Sequence, residues 1–140
     1  LDAVLGMNAV SGDNLSPHHM PSAHSILENE GMNPSYGACS NVMTDTHKNT
    51  FTYGMNNRTR RYDMALYESL SYEDRLVFDQ YDLQRVYAES RPNVDMDIVK
   101  SKLKEEYDMA MGMREVKESL TLEGEQDMRN IEEMKEEGCR

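Results

Sequence analysis

The apolar positions of this chain change rhythm near residue 60. Before it, hydrophobic residues stand in ones, twos and threes among Gly, Pro, Asn and Ser, and no run keeps a helical or strand period for long. Ser16-Pro17, Met20-Pro21 and Asn33-Pro34-Ser35-Tyr36-Gly37 interrupt it, because Pro restricts its predecessor and Gly and Asn favour turns. One short helix is compatible with the pattern, from Ser22 through Asn29, with Ser22 as cap and Ile26 and Leu27 as anchors. Residues 1–57 therefore read as an extended, turn-rich arm that a partner surface orders.

After residue 60 the period is helical. Ser71-Tyr72-Glu73-Asp74 is a helix start, with a Ser cap and acidic residues at the positive end of the helix dipole. That helix spans about 71–89 and is stopped by Arg91-Pro92. Tyr72, Leu76, Leu83, Val86 and Tyr87 gather on one face, and Val77, Phe78 and Tyr81 on the opposite one. Two apolar faces call for two neighbours: the chain's own next helix and another protein. The next helix, about 94–118, carries Met96, Val99, Leu103, Tyr107, Ala110 and Met111 on one stripe. Past Gly112 the apolar residues move to a different sector, which marks a kink, an end or a change of partner.

Residues 121–140 read as an acidic amphipathic tail helix. The expected fold is thus mainly α: an extended irregular N-terminal arm, a small helical hairpin within a body over 58–120, and an acidic C-terminal helix.

Composition makes the private core thin. Of 140 residues 38% are hydrophobic, Trp is absent and Phe occurs twice, so 12 Met and 8 Tyr supply much of the bulk. Those side chains suit adaptable interfaces. The net charge of -11 argues against a binder of phosphate backbones, so no direct nucleic-acid contact is expected. Arg58, Arg60 and Arg61 form one short basic cluster, read as a solvated or partner-facing patch. No apolar run is long enough for a membrane span. Cys39 and Cys139 belong to no short Cys pair and read as free thiols. The start at Leu1 fits a processed or partial chain, with removal of a targeting segment as the natural account.

His18, His19 and His24, with Asp13, Glu28, Glu30, Cys39 and His47, are ligand types that zinc uses. Their spacing does not match a ligand pattern: neighbouring His18 and His19 point in different directions, and neither C-x-x-C nor H-x-x-x-H is present. They read as polar loop residues. Phosphate-binding loops, activated-serine motifs and an EF-hand loop are also missing from the sequence. No catalytic residue, cofactor or metal is expected, and the chain reads as a non-enzyme. Its candidate interaction residues are Ile26, Leu27, Tyr36, Phe51 and Tyr53 on the arm, Arg58, Arg60 and Arg61, and the face Val77, Phe78 and Tyr81.

The stretch Ala65-Leu66-Tyr67-Glu68-Ser69-Leu70-Ser71-Tyr72-Glu73-Asp74-Arg75, followed by Tyr87-Ala88-Glu89, resembles the soluble helical part of cytochrome c oxidase subunit 4. In that family an aromatic residue, Leu-Ser and an acidic and basic turn open a helix ending in Phe-Ala-Glu. The resemblance covers residues 65–90 only. The family continues into a membrane span, whereas Pro92 here leads into a charged amphipathic helix.

The resemblance and the composition imply a non-catalytic accessory subunit of a large assembly, expected to be a mitochondrial respiratory-chain complex. Its partners would be other protein subunits, on the matrix side or at the inner membrane, with membrane proximity only through the complex. The alternative is a virion or prohead structural protein. A third reading, a small self-contained binding module, requires residues 1–57 to fold around a pocket.

Overall fold

In the computed structural model, residues 1–8, 14–53 and 61–123 are described, with backbone alone at 61–63 and 117–123. Strand β3 (Ala38–Met43) lies between β1 (Ala3–Leu5) and β2 (Leu15–His19) and is antiparallel to both. Its register sets Cys39 opposite Val4 on one side and His19 on the other. Ala38, Cys39, Ser40 and Val42 are all buried, as a central strand covered on both faces requires.

This sheet corrects the expectation of an irregular arm. Strand β1 is too short for its alternation to register, β3 is buried on both faces and shows none, and β2 contains Pro17, which ordinarily argues against a strand. Pro17 is tolerated because β2 is an edge strand, where a missing N–H breaks fewer ladder bonds.

Helix α1 (Ala23–Glu30) follows β2 directly. Ser22 caps it by accepting the Ser25 amide, and Gly31 ends it in the left-handed conformation at φ 61°. After β3 comes the short helix α2 (Thr44–Lys48). The remaining helices are α3 (Arg61–Ser69), α4 (Tyr72–Ser90) and α5 (Met96–Glu123). The chain is mainly helical, with a small three-stranded sheet.

Helix α4 begins where its sequence signal lies: Ser71 Oγ accepts the Asp74 amide at 3.2 Å. It packs against α5 through Leu76, Leu83, Tyr87, Val99, Leu103 and Ala110, and Met20, Ala38 and Val42 join the same core. Sheet and hairpin therefore share one hydrophobic interior. Helix α5 continues past Gly112 without ending there, and residues 121–123 belong to it. The rest of the expected tail helix lies outside the described residues.

Polar bonds stitch the same interfaces. Buried Arg75 donates to Glu30 Oε1 at 2.7 Å and to the Leu70 carbonyl at 2.6 Å, joining α4 to α1 and to the α3–α4 turn. Tyr72 donates to the Ala110 carbonyl at 2.9 Å across the hairpin. Gln80 Nε2 donates to the Leu103 carbonyl and to Glu106. No helix among the described residues is long and apolar enough to cross a membrane.

Candidate functional site

The hydrogen-bonded pair β2–β3 runs straight into α2, and this unit together with the start of α1 gathers the chain's four histidines. His18, His19, His24 and His47 line one cleft of about 350 Å³, whose walls also include Ser22, Thr52, Tyr53 and Met64. His18 and His19 close β2, His47 stands on α2, and His24 sits exposed on α1.

The first three differ in their surroundings. The His18 ring is 5.2 Å from the His47 ring, tilted by 56°. His18 is 2% exposed, and its buried Nε2 has no hydrogen-bond partner. Burial, reinforced by His47 and His19, pushes its pKa down to about 3. His18 is therefore neutral at neutral pH. Burial also lowers the pKa of His47, with His19 adding to the effect. His47 also meets the Tyr53 ring edge-on at 5.1 Å.

His19 is held by another contact. Its Nε2 lies 2.8 Å from the Pro34 carbonyl oxygen. A carbonyl only accepts, so Nε2 carries the proton and Nδ1 keeps the lone pair. Burial lowers the His19 pKa, and the Pro34 bond partly offsets this. A Cβ on Gly37 would stand 2.9 Å from His19 Cδ2 and 2.6 Å from Ile26 Cδ1, so the ring's position depends on glycine there.

Local hydrogen bonds fix the α2 wall. Ser16 Oγ and Thr44 Oγ1 are 3.2 Å apart across the strand-to-helix turn. Thr50 Oγ1 donates to the His47 carbonyl at 2.7 Å, and Arg91 pairs with Asp45 at 3.1 Å, tying α2 to the hairpin. Behind the β2–α1 turn, Tyr67 donates to Asp79 Oδ2 at 2.6 Å and accepts the Ser22 amide at 3.1 Å.

Among the described residues, no three His, Cys, Asp or Glu side chains form a ready-made metal-ligand group. The cleft instead offers two neutral imidazoles in contact and a third whose base nitrogen is set by a backbone carbonyl. Such groups can ligate a soft or borderline cation and move a proton.

This chain matches no known family, curated protein or solved structure.

The residues expected to meet a partner scatter. Ile26 is 1% exposed, packed with Met32 and Tyr72, and Phe51 is 5% exposed beneath Tyr67 and Phe78. Both serve the chain's own interior, because the sheet and α1 fold back onto the helices. Tyr36 and Val77 are half-buried, and Tyr53 lines the histidine cleft. Phe78 keeps some exposure but packs edge-on against Phe51 and Tyr67, at 5.0 and 5.6 Å. Leu27 and Tyr81 are exposed. Arg58 and Arg60 lie outside the described residues, and Arg61 opens α3 with its side chain undescribed.

Histidines whose spacing reads as polar loop residues converge in the fold. Their contact is made by strand pairing and the turn into α2, which no ligand-spacing motif encodes.

Proposed function

We propose that the histidine cleft is a hydrolytic active site, holding a divalent transition metal between His18 and His47 and using His19 as general base. The observation that carries this reading is the buried, unpartnered Nε2 of His18. Leaving such an atom unsatisfied costs about 1–3 kcal/mol, and a cation that accepts its lone pair removes that cost.

The neighbouring ring fits the same role. Imidazole nitrogens lie about 2.1 Å from zinc, so two rings on one tetrahedral ion have centroids about 5 Å apart. The His18–His47 separation is 5.2 Å. Ordinary ring packing also reaches that distance, and the orphaned nitrogen is what distinguishes this pair. A pKa of about 3 keeps the His18 lone pair free of a competing proton at neutral pH.

When bound, a divalent metal would polarise a substrate oxygen and acidify a water. His19 would be the base for such a water: the Pro34 carbonyl holds its Nε2–H, which leaves Nδ1 as the nitrogen free to accept a proton. Two neutral ligands leave the ion's charge uncompensated, which favours an anionic ester such as a phosphate ester over a neutral one. The test is hydrolysis of bis(p-nitrophenyl) phosphate by the full chain after chelation and readdition of Zn2+ or Mn2+. Turnover should return with metal and be lost in His19→Ala. Turnover that survives both chelation and that substitution would refute the reading.

A second reading has its own support. Tyr81 is 68% exposed and Leu66 54%, on α4 and α3, and these apolar side chains favour an accessory structural subunit of a larger assembly. A mitochondrial respiratory complex and a virion remain the two candidate settings for that role. Tyr81→Asp should then abolish co-purification of one defined partner without lowering the Tm of the isolated chain; unaltered co-purification would count against it.

A further inference from the structure

We propose that Tyr67 and Asp79 are positioning residues for the histidine cleft, holding from the helical side the Ser22 turn that directly follows His18 and His19 and lines the same cleft. The inference rests on the reading of that cleft as a metal-binding hydrolytic site.

The chain passes from the end of β2 at His19 to the start of α1 at Ala23 through Met20, Pro21 and Ser22. The Met20 amide is the last of this strand to reach β3, donating to the Ala38 carbonyl at 3.2 Å. Beyond it the sheet no longer restrains the backbone. Ser22 supplies the next restraint: its Oγ accepts the Ser25 amide, its carbonyl accepts the Ile26 amide, and its own amide points into the helical core. There that amide donates to Tyr67 Oη at 3.1 Å, and Tyr67 Oη donates to Asp79 Oδ2 at 2.6 Å. One hydroxyl thus joins α3, α4 and the turn next to the histidines.

The Tyr67 ring has no room to swing. It is 2% exposed and is flanked by Phe51 and Phe78, with centroids 6.1 and 5.6 Å away. Asp79 is 1% exposed and makes no ion pair among the described residues. Arg75, one turn earlier, is committed to Glu30 and the Leu70 carbonyl. A buried acidic side chain without an ion pair must lose its hydration with no charged partner to offset the loss, so it is a poor device for stability alone. Its short bond to a fixed hydroxyl instead imposes direction. The far end of α1 is secured by the same helices, through Arg75–Glu30 and through Asn29 bonded to Glu68. Both ends of α1 are thus bonded to the helices, and the Tyr67–Asp79 bond anchors its first turn beside the end of β2.

The test uses Tyr67→Phe, which keeps the ring and removes the hydroxyl, in the full chain. The readouts are the exchange rate of the His19 imidazole Nε2–H by 15N NMR and the Zn2+ affinity by calorimetry. We expect helical content to be retained, His19 exchange to rise and Zn2+ affinity to fall, each by about tenfold, as for other residues that orient ligands. Leu103→Ala, a core truncation within the hairpin, should lower Tm and leave both readouts unchanged. Wild-type exchange and affinity in Tyr67→Phe would overturn the proposal, as would equal changes in Leu103→Ala. If the wild type takes up no Zn2+, the metal reading fails on its own, and His19 exchange still decides the role of Tyr67. Should Tyr67→Phe not fold, Asp79→Leu, which removes the acceptor of the Tyr67 hydroxyl, replaces it: faster His19 exchange supports the proposal and unchanged exchange overturns it.

Discussion

His19 Nε2 donates to the Pro34 carbonyl at 2.8 Å, and this one bond decides which nitrogen of the ring can accept a proton. The pairing spans the sheet end and the turn before β3, so it exists only in the folded chain. It leads to a prediction at Gly37. Alanine there would bring a Cβ within 2.9 Å of the His19 ring and 3.2 Å of the Pro34 oxygen. Gly37→Ala should cost about 1–3 kcal/mol by overpacking, read by urea denaturation, and should also abolish hydrolysis.

The histidines predict acid sensitivity. His18 has its pKa depressed from 6.5 to about 3, so between those values the unfolded chain binds the extra proton and the folded chain does not. The stabilisation from His18 is complete above pH 6.5 and is lost as pH falls toward 3. His19 and His47 shift in the same direction. Urea midpoints measured across this range should fall with pH more steeply in the wild type than in His18→Gln.

Two buried carboxylates act with the opposite sign. Burial raises the pKa of Glu106, and that of Asp79, well above the usual carboxylate range. The folded state then holds protons the unfolded state releases, so this contribution fades as pH rises through the folded pKa. Glu106 Oε1 accepts from Gln80 at 2.8 Å, a bond that a glutamine can keep. Relative to the wild type, Glu106→Gln should gain Tm as pH is raised from about 5 to about 8.

The Arg75–Glu30 pair predicts the cost of cutting α1 loose. Arg75 is 2% exposed, and its loss strands a carboxylate and the Leu70 carbonyl. Arg75→Met should destabilise by roughly 3 kcal/mol, as when one partner of a buried pair is removed. Thermal unfolding checks this.

How much of this was readable in advance varied along the chain. Helix α4 announced itself through Ser71 and the acidic turn after it, because capping is a local interaction between residues close in sequence. The α1 helix was legible for the same reason, at Ser22. Strand β1 has only three residues, and β2 carries Pro17, so neither displays a period, and their pairing with β3 is a long-range choice. The outer face of α4 was read as a partner surface, yet Phe78 on it meets Phe51, a residue beyond the reach of periodicity. The opposed directions of His18 and His19 were legible. One turns to His47 and the other to Pro34, and both still line one cleft.

The central claim is that the cleft binds a divalent metal through His18 and His47, and calorimetric titration of the full chain with Zn2+ tests it most directly. The account predicts one equivalent bound by the wild type, with affinity at least about tenfold weaker in both His18→Ala and His47→Ala and retained in His19→Ala. A folded wild-type chain that takes up no Zn2+, or that binds it equally well without His18, would contradict it.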